Sequence, residues 1–196
     1  MANRCYLYAV DRSPSDGKTY PRGLCEYSWD VPIVHKLMMG GDPRRVKSAI
    51  WDPEIGILAD RDGAIERVEA FAAALLAGHT GKAAGDLREQ LDEMRAVLKK
   101  TPATPYLLLE VGEIVDMMGG DLVKNVDKVI ADIPVVVAKA ARADAKWLGK
   151  LRKTALDEFN FGYWSDTLYF SFTQPKKKPP AKKPTTKKPA AKAKAR

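Results

Sequence analysis

The chain is poor in the side chains that carry most enzyme chemistry. It has two histidines, His35 and His79, and two cysteines, Cys5 and Cys25. No CxxC pair is present and no histidine cluster stands near either cysteine in sequence, which removes the spacing patterns of zinc sites and dithiol redox centres. The plainer reading is two reduced, partly buried thiols. No His-x-Glu, His-Glu-x-x-His or nucleophile elbow surrounds either histidine, and neither GxGxxG nor GxxxxGK[ST] occurs. The expectation is therefore a non-enzyme with no cofactor and no metal. Long apolar runs are missing too: none approaches the ~18 residues of a membrane span. The opening Met1 to Cys5 runs directly into a strand pattern, without a basic-then-apolar leader. Together these absences predict a cytoplasmic protein that does not meet the membrane.

Acid is missing from one region only. Pro175 to Arg196 holds nine lysines, one arginine and no Asp or Glu. The whole chain has 33 basic and 25 acidic residues, so 23 basic residues face 25 acidic ones over 1–174, a net of −2. The strong basicity belongs to a tail, and the body is nearly neutral. With 196 residues, 45% of them hydrophobic, the chain is long enough for one sizeable core. The expected organisation is one globular domain over 1–174 and a disordered tail over 175–196.

That tail has no large apolar residue, and proline recurs every few positions, so it cannot bury enough surface to fold. Its composition resembles the Lys/Pro/Ala tails of linker histones and of some bacterial DNA-binding proteins. Lys176, Lys177, Lys178, Lys182, Lys183, Lys187, Lys188, Lys192, Lys194 and Arg196 are candidate phosphate contacts. Such a string neutralises phosphates and releases counterions, giving non-specific, salt-sensitive binding. It lacks interleaved aromatics for base stacking. The plainer alternative is a solubilising appendage.

What the chain has in plenty is aromatics near its end, from Phe159 to Phe172. From Leu168 the run alternates, with Leu168, Phe170 and Phe172 on one side and Tyr169, Ser171 and Thr173 on the other. That period predicts a strand with one buried face. The opening alternates likewise: Cys5, Leu7 and Ala9 against Tyr6, Tyr8 and Val10. The two runs are expected in one sheet. Between them, a short strand is expected over Leu24 to Trp29 and a helix after Asp30 with Pro32 in its first turn. An amphipathic helix follows Asp60-Arg-Asp-Gly, and another runs from Asp86, as a capping residue, to Lys100. A buried strand is read over Tyr106 to Leu109 and a helix from Glu113 to Met118. Asp121 is expected to cap a helix that Pro134 breaks or restarts, with helix continuing to Leu156. The order predicts an α+β fold: a small, mainly antiparallel sheet of N- and C-terminal strands with about five helices packed on it.

Met-Met-Gly-Gly-Asp occurs twice, at Met38 to Asp42 and at Met117 to Asp121. Two glycine-stopped helix ends explain this more simply than a duplication. The Gly-Gly-Asp is not followed by the residues of a cyclase turn, and Asp60-Arg-Asp-Gly would put Leu58 at the first position of a calcium loop, so neither chemistry is supported. Glu110, Glu113 and Asp116 offer carboxylates at helical spacing, a minor candidate for acid–base catalysis; a solvated helix face is the plainer reading. The sharper candidate is the loop Gly162 to Asp166. Two large aromatics at a turn cannot easily both be buried, so Tyr163, Trp164 and Asp166 form a candidate partner-contact site.

Asn3-Arg4-Cys5-Tyr6-Leu7-Tyr8, Asp30-Val-Pro-Ile-Val, Ile50-Trp51 and Leu168-Tyr-Phe-Ser-Phe together resemble an uncharacterised family of small bacterial cytoplasmic proteins that begin Met-Ala-Asn-Arg-x-Tyr-Leu-Tyr. The basic tail is not part of that pattern. The resemblance implies no active site. It leaves a protein-interaction module, of immunity or regulatory-adaptor type, as the leading expectation, with tail-mediated nucleic-acid association as the alternative and an enzyme using Glu110 and Glu113 as the minor one.

Overall fold

The computed structural model describes residues 3–153 and 161–173. The lysine-rich tail and the stretch carrying Phe159 lie outside the described residues, as does the last part of the helix expected to reach Leu156. The described residues form a six-stranded sheet with six α-helices. The strands are β1 (Arg4–Val10), β2 (Arg22–Ser28), β3 (Arg44–Val46), β4 (Gly56–Asp60), β5 (Tyr106–Glu110) and β6 (Tyr163–Trp164). Their order is β3-β4-β5-β1-β2-β6, and every neighbouring pair is antiparallel. The helices are α1 (Ile33–Met38), α2 (Ala64–Leu76), α3 (Gly81–Lys100), α4 (Gly112–Met117), α5 (Leu122–Ala141) and α6 (Ala145–Leu151). This is the α+β architecture that the pattern of periods implies. No helix among the described residues is long and apolar enough to cross a membrane.

β1 is an inner strand, flanked by β5 and β2, and it is buried on both faces rather than one. Cys5, Leu7 and Ala9 face the larger core, into which α2, α3, α5 and α6 send Phe71, Leu91, Val126 and Leu148. Tyr6, Tyr8 and Val10 face a second, smaller cluster with Val46, Leu58, Leu108 and Leu168. All the helices therefore cover one side of the sheet. The other side is closed by the loop after β3 and by the end of the described chain.

That end corrects one expectation. Leu168 to Phe172 is not a strand; the C-terminal strand is Tyr163–Trp164, paired with Cys25 and Glu26 at the sheet edge, so β2 separates it from β1. The Ser171 hydroxyl donates to the Leu168 carbonyl at 2.7 Å and accepts from the Leu168 amide at 3.2 Å. These side-chain bonds curl the run into a turn instead of a ladder. The alternation is real all the same. Leu168 is buried, Phe170 and Phe172 are half-buried, and Tyr169 is exposed.

Several helix ends also move. Pro32, not Asp30, precedes α1, and the Asp30 carboxylate accepts from the Val31 amide at 2.6 Å. Asp60 ends β4, and α2 starts after Gly63, which sits at φ 68°. Asp86 lies inside α3, which begins at Gly81. Asp121 does cap α5, accepting from the amides of Val123 and Lys124. Pro134 sits within α5 without ending it. Instead the chain turns at Ala143 (φ 47°), and Asp144 caps α6.

The two Met-Met-Gly-Gly-Asp copies do end helices, α1 and α4. Their surroundings differ. Gly40 is wedged against Arg67 and Val137, and Gly41 against the Asp60 backbone, so Met38 and Met39 are fully buried. Gly119 and Gly120 stand in open space, and Met117 and Met118 are 42% and 49% exposed.

Candidate interaction surface

Trp29 follows β2 at the point where the chain turns toward α1. Its amide donates to the Asn3 carbonyl at 2.8 Å, which holds the residue at φ 75°. A bulky residue rarely occupies the left-handed region, because its Cβ crowds the following carbonyl. The indole is 61% exposed. It forms a wall shared by two clefts. One, of about 360 Å³, lies between Trp29 and the α4–α5 corner, with Ile114, Met117, Met118 and Val129 as its apolar lining. A Lys36–Asp132 ion pair at 2.8 Å closes its rim. The second, of about 480 Å³, runs along the β2–β6 edge to Tyr163.

Tyr163 is 63% exposed, and its cross-strand partner is Glu26. Trp164 is buried: it is 6% exposed, sits in the larger core, and donates its indole N–H to the Phe161 carbonyl at 2.6 Å. Adjacent strand residues point to opposite faces, so one of this pair had to go in when the other went out. Asp166 is exposed but lines a different cleft, beside Arg22 and Lys100. The structure thus leaves Tyr163 exposed, places Asp166 on a different cleft, buries Trp164, and exposes Trp29, Met117 and Met118. The candidate tail cations lie outside the described residues.

The carboxylates at Glu110 and Glu113 are not a solvated helix face. Glu110 ends β5 and is fully buried; it accepts from the Ser48 hydroxyl at 2.7 Å and the Ala49 amide at 2.6 Å. Burial pushes its carboxyl up to about 7, against the opposing pull of those two donors. Glu113, half-buried on α4, accepts from the Arg4 amide at 2.8 Å and the Tyr6 hydroxyl at 3.1 Å. Burial and then Glu113 raise the Tyr6 hydroxyl above its ordinary value. Both acids fasten loops and helices to the sheet.

Both thiols are free and buried, and burial pushes each well up. Cys5 Sγ lies 3.4 Å from His35 Nδ1, and burial lowers the imidazole to about 3. A neutral imidazole beside a protonated thiol is the opposite of a thiolate–imidazolium nucleophile pair. Among the described residues no group of three or more His, Cys, Asp or Glu is placed to hold a metal.

A family model described as a domain of unknown function (DUF7822) matches residues 10–148. The chain belongs to this family. The matched span includes Trp29, Met117 and Met118, and it stops short of Tyr163 and of the turn at Leu168 to Phe172. No curated protein and no solved structure matches the chain.

Proposed function

We propose that this DUF7822 protein is a non-enzymatic, cytoplasmic protein-interaction module, of immunity or regulatory-adaptor type, whose contact surface centres on Trp29. The observation that carries this reading is the exposure of the Trp29 indole in a left-handed backbone between two clefts. Trp and Tyr are the residues that most often anchor interfaces, and flexible methionines such as Met117 and Met118 adapt to an apolar partner surface. The partner presents an apolar anchor to the cleft beside Met117 and Met118. Both oxygens of Glu110 and of Glu113 already accept protein hydrogen bonds, which favours this reading over catalysis. Site-specific photo-crosslinking in cells tests it. A crosslinker at position 29 or 163 should trap one defined protein, and one at the exposed Gly85 on α3 should not. Equal trapping from all three positions, or none, overturns the proposal.

A second reading rests on the ten cations and no acids of Pro175 to Arg196: the tail associates with nucleic acid non-specifically. The full chain should retard duplex DNA at low salt, and a chain with its nine tail lysines changed to glutamine should not.

A further inference from the structure

The side of the sheet away from the helices carries an apolar face that the segment Leu168 to Phe172 fills. Tyr6, Tyr8, Val10, Leu58 and Leu108 form it. Leu168, Phe170 and Phe172 sit on it as three anchors. Phe170 lies edge-on to Tyr6 (5.3 Å between ring centroids) and to Trp51 (5.9 Å); Phe172 lies edge-on to Tyr8 (5.4 Å). Leu168 fills the notch left by Gly23, where an added Cβ would come within 2.8 Å of the leucine. Two side chains of the sheet hold the backbone of this turn. The Tyr8 hydroxyl donates to the Phe170 carbonyl at 2.7 Å, and the Tyr169 amide donates to the Glu26 carboxylate at 2.9 Å. Among the described residues no backbone–backbone hydrogen bond joins 166–173 to the rest of the chain.

The face and its occupant are thus built separately. The ladders β1–β2, β1–β5 and β4–β5 that shape the face use no atom of the turn. Val10, Gly23, Trp51, Leu58 and Leu108 lie inside the family match at 10–148, whereas Tyr6, Tyr8 and Leu168 to Phe172 lie outside it. A site of this kind accepts side chains in pockets while a few polar groups fix the ligand backbone.

We propose that this face is a peptide-binding site, that Leu168–Phe172 occupies it in cis as an exchangeable plug, and that its trans ligand is a segment of a partner protein with the pattern Leu-x-Phe-x-Phe. The site shares Glu26 with the cleft beside Tyr163 but none of its apolar anchors. Removing the plug raises apparent affinity in trans, because a ligand no longer competes with a tethered copy of itself.

The test uses the full chain and a labelled synthetic peptide with the sequence of Asp166 to Thr173, read by fluorescence anisotropy. Phe170→Ser/Phe172→Ser, which weakens the plug and leaves the face intact, should bind the peptide at least tenfold more tightly than the unaltered chain. A peptide with alanine in place of the leucine and both phenylalanines should not bind. Ser171→Ala, which only loosens the turn, should shift affinity in the same direction by a smaller factor, and it serves if the double variant fails to fold. Trp29→Asn should leave peptide binding unchanged. Equal binding by the folded variants and the unaltered chain overturns the proposal. So does a concentration-dependent dimer of the unaltered chain that the plug substitutions abolish, since the occupant is then a second copy.

Discussion

The Tyr8 hydroxyl reaches the Phe170 carbonyl at 2.7 Å across 162 positions of the chain. It ties an inner strand to the last described turn. Tyr8→Phe removes the donor, keeps the ring, and leaves that carbonyl without its bond. The expected cost is about 1 kcal/mol, measured as a lower urea midpoint with an unchanged slope. Phe170→Ala should cost more, because it also removes the edge-on contacts to Tyr6 and Trp51. A larger loss from Tyr8→Phe than from Phe170→Ala would contradict this account of the turn.

Glu110 makes stability depend on pH in the direction opposite to an ion-paired acid. Its folded value is raised from 4.5 to about 7 by burial. The folded state therefore binds the proton more tightly than the unfolded state. The stabilisation is fully present below about 4.5 and is lost as pH rises through about 7. At 1.36 kcal/mol per unit the difference is on the order of 3 kcal/mol. Glu110→Gln cannot titrate, so its destabilisation relative to the unaltered chain should be larger at pH 5 than at pH 8. Chemical denaturation at the two values measures this, and an equal gap at both would refute the assignment.

Gly162 is the position where a side chain is least tolerable near β6. It sits at φ 73°, and an added Cβ would collide with Cys25 Sγ. Gly162→Ala should cost at least about 2 kcal/mol, from left-handed strain together with overpacking. Trp164→Ala should cost about 3–5 kcal/mol by leaving a cavity. Thermal unfolding of both, followed by near-ultraviolet circular dichroism, checks the pair.

Trp29 should separate binding from folding. Asparagine tolerates the left-handed region better than tryptophan, and the exposed indole supports little of the core. Trp29→Asn should change stability by no more than about 0.5 kcal/mol while abolishing crosslinking from position 163. A folded variant that keeps its partner would remove Trp29 from the contact surface.

Periodicity placed β1, β5, α2 and the start of α5 within a few residues of their positions, because burial on one face writes itself into neighbouring residues. It misread Leu168 to Phe172, where the same alternation lies on the sheet without joining it. The distinction lies in the Ser171 hydroxyl, whose bonds to Leu168 no count of apolar positions reveals. The site was less legible. Trp29 and Trp164 look equally buriable in sequence, and the identical Met-Met-Gly-Gly copies split, one pair fully buried and one exposed.

The amino-acid order alone determined most of the extended and helical stretches, which helix faces turn inward, and where the cationic residues gather. Each of these follows from spacing within a dozen residues. Only the tertiary structure decided that β2 stands between the first and last strands, that Trp29 rather than Trp164 meets solvent, and that the far side of the sheet is closed by a curled turn. Those outcomes depend on tertiary partners, some more than a hundred positions away, whose arrival sets burial and hydrogen bonding and leaves no local period to read.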